Sequence, residues 1–340
     1  MRLIQLFFLC QLIMQATSGQ TTIDNSPGKR FNRIDFKPSV YYREYSSANP
    51  VSLTINPGDI INTESVDAGG FDKEGQKKSE RGNPLTGPFF IEGAEPGDAI
   101  AVTITKIALN RNYATTLEAL VPRSLPGNTA KKKWRGAKLT RWNIDLENNI
   151  AMPANQHKHL QNMKIPLHPF LGCIGVAPEK TKKIPTGDSG PFGGNLDFKF
   201  MTETATVYLP VFHSGALLLM GDGHAVQGDG ELNGDALETS MSFEFTAQVI
   251  KNGGADLAHP RAERQELYYG FWYREEFRQG FTNSYTKLTK LAAKRLPALI
   301  YRGNTGDWNF GSICYTENCS DEGRNGSYVA QRNSCIAQKV

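Results

Sequence analysis

Apolar and polar residues alternate along much of the chain between residues 40 and 250. Val51, Leu53 and Ile55 are interleaved with Ser52, Thr54 and Asn56. Ile100, Val102 and Ile104 alternate with Ala101, Thr103 and Thr105, and Met241, Phe243, Phe245, Ala247 and Val249 alternate with Ser242, Glu244, Thr246 and Gln248. A period of two puts every second side chain on the same face, so these segments predict strands of sheets with one buried face. Pro57-Gly58-Asp59 and Pro96-Gly97-Asp98 adjoin two of them, and such a tripeptide suits a tight turn leading into a strand. The two copies hint at related strand pairs without establishing a repeat.

Val207-Tyr208-Leu209-Pro210-Val211 and Ala216-Leu217-Leu218-Leu219-Met220 are apolar runs that predict interior strands. Residues 111–166 alternate less regularly and carry Lys131-Lys132-Lys133, which reads as a solvated loop. Leu288, Leu291, Ala292 and Leu296 recur at helical spacing, and Pro297 ends that pattern. The final forty residues are polar, rich in Asn, Gly and Ser, and predicted to pack weakly. The expected fold is mostly β, a β-sandwich or barrel-like arrangement with a few helices.

With 340 residues, 39 % apolar and 21 % charged, the chain is long enough for one large or two ordinary globular domains. Its 38 basic and 34 acidic residues leave a net charge of +4, too balanced to argue for nucleic acid or an anionic membrane. Arg2, the apolar run Leu3 to Met14 and the small residues Ala16-Thr17-Ser18-Gly19 predict a signal peptide over residues 1–19, hence a secreted or periplasmic protein. That run is too short for a stable membrane span, and no later segment is long and apolar enough to be one. Of five cysteines, Cys10 departs with the leader and Cys173 sits in an apolar run as a buried thiol. Cys314, Cys319 and Cys335 crowd the tail, where an oxidising compartment favours one disulfide. A zinc knuckle there lacks a fourth ligand, because no histidine follows His259.

The candidate chemistry lies between Gly187 and Glu238. Gly193-Gly194-Asn195-Leu196-Asp197 sets two polar side chains beside a glycine pair, where backbone can approach a ligand. Gly221-Asp222-Gly223-His224, followed by Asp229-Gly230-Glu231, groups four ionisable residues at the mouth of the Ala216 strand. Asp-x-His projects both side chains from one face of a strand, and carboxylate with imidazole is what zinc and similar ions accept. Two plainer readings stay open. The Asp-Gly pairs at 222 and 229 suit hairpin turns, and acidic loops also bind calcium, although this one lacks the alternating oxygen ligands of a helix–loop–helix site. Neither a reactive-cysteine environment around Cys173 nor a Gly-x-Ser-x-Gly elbow is present.

The ordered run of motifs resembles the acetamidase/formamidase family. It comprises Asn83-Pro84-Leu85-Thr86-Gly87-Pro88, Glu92 to Asp98, Gly172 to Pro178, Gly193 to Asp197, Leu209 to Leu217, Gly221 to Ala225 and Gln227 to Glu231. The resemblance covers roughly residues 50 to 265 and implies a mostly-β fold, usually oligomeric, that hydrolyses short linear amides with a metal-activated water. Asn195, Asp197, Asp222, His224, Asp229 and Glu231 match motif positions, and Asp67 resembles an acidic position ending an early strand. The expected roles are metal ligation by Asp67, Asp222 and His224 with Asp197 as a fourth ligand, and proton transfer by Glu231. Asn195 would bind the substrate or its oxyanion, and Asp229 would orient His224. The metal expected is zinc, with calcium as the other option, and the partners expected are a small amide and further copies of the chain. A secreted, metal-stabilised β-sandwich binding protein without turnover is the rival reading. Two segments depart from the family pattern, the leader and a divergent polar tail over 301–340, leaving 20–300 as the family-like domain.

Overall fold

The computed structural model describes residues 31–118, 138–154, 162–228 and 233–264, with Leu160, Glu231 and the strand segments 267–272, 299–303, 311–315, 327–331 and 334–338. The expected leader, the lysine run, Asp229, Cys319 and the helix expected over 285–296 lie outside them. Among the described residues nearly all regular structure is strand, and the one helical element is a 3-10 turn at Gly253–Asp256.

The alternating segments around Ile100–Ile104 and Met241–Val249 lie side by side in a nine-stranded sheet, while Leu53–Ile55 edges a second one. The order of the nine is Arg33–Asp35, Ile60–Ser65, Met241–Ile250, Ala99–Leu109, Thr206–Pro210, Arg261–Arg264, Leu267–Trp272, Leu299–Gly303 and Gly311–Tyr315. The last strand lies in the polar tail. A six-stranded sheet runs in the order Ser189–Gly190, Gly193–Asn195, Phe170–Gly175, Leu218–His224, Leu85–Ile91 and Leu53–Ile55. Phe89 of this sheet meets Phe245 of the larger one edge to face, ring centroids 5.0 Å apart. Around them Ile100, Val102, Ile104, Leu171, Ile174, Leu218, Met220 and Phe243 form one buried cluster, so the two sheets share a core as a sandwich does.

Both Pro-Gly-Asp units build the same device. Asp59 N–H donates to the Asn56 carbonyl at 3.0 Å and Asp98 N–H to that of Glu95 at 2.9 Å. Gly58 and Gly97 take φ of 93° and 95°, the left-handed third position of a type II turn behind proline. Each Asp carboxylate then accepts the backbone N–H that opens its turn, Asn56 or Glu95, at 2.9 Å. Composition and spacing predicted the turn, and the aspartates reinforce it.

A four-stranded antiparallel sheet, in the order Ile165–Pro166, Ile150–Pro153, Leu139–Asp145 and Tyr113–Leu117, packs its own smaller core. There Ala114, Trp142, Ile144, Ala151 and Leu167 meet Ala225 and Leu237, residues adjoining His224 and Glu238. The ionisable cluster therefore sits where this subsidiary sheet joins the sandwich.

Candidate active site

Asp222-Gly223 is not a hairpin. Gly215, Ala216 and Leu217 turn the chain with φ of 73°, 59° and 59°, and the strand that follows runs from Leu218 through His224. Asp222 and His224 thus lie on a central strand, in its last three residues, with His224 ending it. The strand pairs with Phe170–Gly175, matching Cys173 to Gly221, Leu171 to Gly223 and Phe170 to His224. The two expected partners face each other, with Oδ2 of Asp222 3.6 Å from Nε2 of His224, and both side chains are buried. Phe170 packs edge to face on the imidazole with centroids 4.8 Å apart.

Gly172 shows where the groups converge. A Cβ added there would lie 2.7 Å from Asp222 Oδ2, 2.8 Å from His224 Cε1 and 2.9 Å from Asp197 Oδ1. Only glycine leaves room for these three side chains above one point of the sheet. The Gly172 carbonyl accepts the backbone N–H groups of Leu196 and Asp197, which fixes the Gly-Gly-Asn-x-Asp segment against the same spot. Asn195 lies opposite Cys173 in the sheet and donates Nδ2–H to Asp197 Oδ2 at 2.6 Å. Asp197, Asp222 and Glu231 adopt left-handed backbone, with φ of 42°, 60° and 42°. Such conformations each cost on the order of 1 kcal/mol or more and gather at functional sites.

Two residue triads can each bring three ligand atoms within 4.8 Å of one another: Asp222 with His224 and Glu238, and Asp197 with His224 and Glu231. Asp197, Asp222, His224 and Glu231 therefore come together as expected, and Asn195 joins them through Asp197. Asp67 does not. Its Oδ2 accepts from Arg111 Nη2 at 2.6 Å in a fully buried ion pair, and its Oδ1 caps the Phe71 N–H at 2.9 Å. The carboxylate expected to ligate metal is committed instead to a guanidinium and a loop.

Glu238, which no motif singled out, stands beside Asp222 and His224 where Asp67 was expected. It forms an isolated bridge with His224, and its Oε1 lies 3.3 Å from His224 Nε2. Nothing in local spacing marks it, since it neighbours no other ionisable motif residue. Three further residues belong to the site. Asn83 donates Nδ2–H to both Asn195 Oδ1 and Asp222 Oδ2. Arg111 reaches the Glu238 carbonyl at 3.4 Å. Cys173, a buried thiol as expected, touches Asn195 and Asp222 through sulfur.

Several buried carboxylates face one imidazole, and their proton affinities show it. Burial, with repulsion from Asp222 and Glu238 outweighing the pull of His224, pushes Asp197 up to about 8. Burial also pushes Glu238 up to about 7 and Glu231 well above the carboxylate range. Burial alone would lower the His224 imidazole, but facing Glu238 and Asp222 raise it well above its ordinary value. One protonated histidine does not neutralise this set. A divalent cation would offset two of those negative charges, and the donors suit one. Asp222 Oδ1, His224 Nδ1 and Glu238 Oε2 are buried without hydrogen-bond partners, while the other polar atom of each side chain is engaged. Carboxylate oxygen with imidazole nitrogen is a zinc-type donor set.

Sheet architecture and buried carboxylate–imidazole centre together define a β-sandwich protein built around a cluster of groups of the kind that hold a metal ion. The family model for the acetamidase/formamidase family matches residues 41–186 and 181–277, and the chain belongs to that family. It is 27 % identical over 268 residues to a predicted formamidase of Schizosaccharomyces pombe, covering 62 % of this chain and 64 % of that protein. It is 24 % identical over 258 residues to a formamidase of Methylophilus methylotrophus, covering 60 % and 62 % respectively. The chain thus spans less than two thirds of the length of the curated relatives it matches. The fold agrees with the crystal structure of an acetamidase from Yersinia enterocolitica, with a TM-score of 0.67, 23 % identity, and 85 % and 93 % of the two chains covered. A predicted acetamidase/formamidase from Thermoanaerobacter tengcongensis gives the same TM-score at 24 % identity, covering 84 % and 96 %.

Proposed function

We propose that the chain hydrolyses small linear amides of the formamide or acetamide class to carboxylate and ammonia, with a divalent cation held by Asp222, His224 and Glu238. The observation that carries this reading is the convergence of buried carboxylates and one imidazole over Gly172. Family membership, and relatives named formamidase and acetamidase, support the substrate class. Asp222, His224 and Glu238 are the better ligand triad because all three are fully buried. Asp197 and Glu231 face the same centre with their carboxyl groups enclosed, yet each residue keeps some exposed surface, which suits contact with substrate. Imidazole is a poor calcium ligand, so the set favours a zinc-class ion.

When bound, such an ion supplies Lewis acidity and a water whose pKa falls to about 7. Glu231 takes a proton from the attacking water and returns it to the departing nitrogen, so that ammonia leaves neutral. Asn195 spends one amide proton on Asp197 and keeps the second for the substrate oxygen as it gains charge. Phe170 walls the imidazole and keeps that side of the centre dry.

Export rests on the leader pattern of residues 1–19, and assembly into a homo-oligomer rests on the family resemblance. Among the described residues no helix is long and apolar enough to cross a membrane. Ammonia release from formamide, acetamide and propionamide, measured before and after chelation and with zinc restored, tests the activity. A metal-loaded protein that releases none would leave the non-catalytic binding protein as the function.

A further inference from the structure

Two side chains behind the site share a single pair of acceptors. Asn83 Nδ2 lies 3.2 Å from Asn195 Oδ1 and 3.0 Å from Asp222 Oδ2. Cys173 Sγ lies 3.0 Å and 3.3 Å from the same two oxygens. Asn83 has an amide proton for each oxygen, and the single thiol proton of Cys173 serves one of them at a time, Asn195 Oδ1 being the nearer. The consequences reach both halves of the site. With its oxygen turned toward Asn83 and the thiol, Asn195 must present Nδ2 to Asp197, which it does at 2.6 Å. With Oδ2 held by Asn83 and within reach of the thiol, Asp222 has Oδ1 left as its unpartnered buried atom.

We propose that Asn83 and Cys173 are positioning residues that set the direction of the Asp222 carboxylate and, through Asn195, of Asp197. This role rests on the proposed metal site and deepens it. The chemistry of both residues fits. Asn83 precedes Pro84 at a φ of 48°, a backbone conformation that asparagine tolerates better than most residues. Cys173 is fully buried, has a thiol proton to give, and lies within sulfur hydrogen-bond reach of the Thr186 carbonyl at 3.5 Å as well. The proton it donates is weak, but here both site acceptors are desolvated, which strengthens any hydrogen bond made to them.

The test compares donor-removing with donor-keeping variants, reading Co2+ as a spectroscopic stand-in for zinc alongside thermal melting. Cys173→Ala and Asn83→Ala should each weaken Co2+ binding about tenfold or more and alter its visible spectrum, whereas Cys173→Ser should stay within about threefold of the parent. Melting temperatures of Cys173→Ala and Cys173→Ser should stay close to each other, so that packing loss does not explain the split. Equal affinity in Cys173→Ala, Asn83→Ala and the parent would overturn the positioning role while leaving the metal site standing. So would equal weakening in Cys173→Ala and Cys173→Ser. A parent protein that binds neither Co2+ nor zinc would overturn the metal site itself, and this role with it.

Discussion

Arg111 and Asp67 form a buried ion pair 2.6 Å long, and the same guanidinium nitrogen of Arg111 reaches the carbonyl of Glu238. Its other nitrogens donate to the Tyr113 carbonyl, Thr239 Oγ1 and the Asp72 carbonyl, and its plane stacks on the Tyr113 ring at 4.1 Å. One side chain therefore ties the 67–76 loop to the segment that delivers Glu238. Arg111→Ala would strand a buried carboxylate, and the expected loss is about 3–5 kcal/mol of stability. Denaturant melts measure it; a loss below about 1 kcal/mol, the range of exposed pairs, would refute the assignment.

The two glutamates of the site should separate by readout. Glu231→Gln is expected to keep bound zinc but lose at least about a hundredfold in kcat, the usual yield of a positioned proton carrier. Glu238→Gln is expected to lose zinc during dialysis, as seen by elemental analysis. Retention of zinc by both variants would remove Glu238 from the ligand set.

Gly172→Ala adds one methyl group where Asp222, His224 and Asp197 meet. We expect metal affinity to fall at least about tenfold through displaced ligands. Equilibrium dialysis against zinc reports this directly, and an unchanged affinity would mean the side chains do not converge there.

Asp98 gives the pH dependence. Burial pushes its carboxyl up, but Lys251 at 2.5 Å and the N–H groups of Asn252 and Glu95 outweigh that and hold it below the ordinary range. A depressed folded value means stability that is present above the unfolded value, about 4, and lost as pH falls through the folded one. Asp59 behaves alike, with burial outweighed by its bonds to Asn32 and Asn56. Asp98→Asn should therefore melt lower than the parent at pH 7, and the gap should close below about pH 4. A gap constant across that range would disprove the linkage.

The sandwich was legible because its strands bury one face each: Ile100, Val102 and Ile104, and Met241, Phe243 and Phe245, are interior as their alternation required. Asp222 and His224 were legible for the same reason, since i and i+2 on a strand project together. Glu238 was not, because an isolated bridge formed across a loop leaves no spacing to read. Asp67 carried the right chemistry for a ligand, but Arg111, 44 residues away, claims it. Cys173 read correctly as a buried thiol, yet its partners come from a neighbouring strand at 195 and from 222 on the strand paired to its other side.

The three carboxylates held at positive φ carry one further implication, for engineering. Asp197 combines a left-handed backbone with a desolvated acid crowded by its neighbours, two liabilities at a single position. Asparagine accepts that backbone, has the same shape, and can still receive the Asn195 proton through its carbonyl. In chelator at neutral pH, Asp197→Asn should melt higher than the natural chain while turning over amide more slowly. Thermostability screens run without substrate would then select against the enzyme they set out to improve.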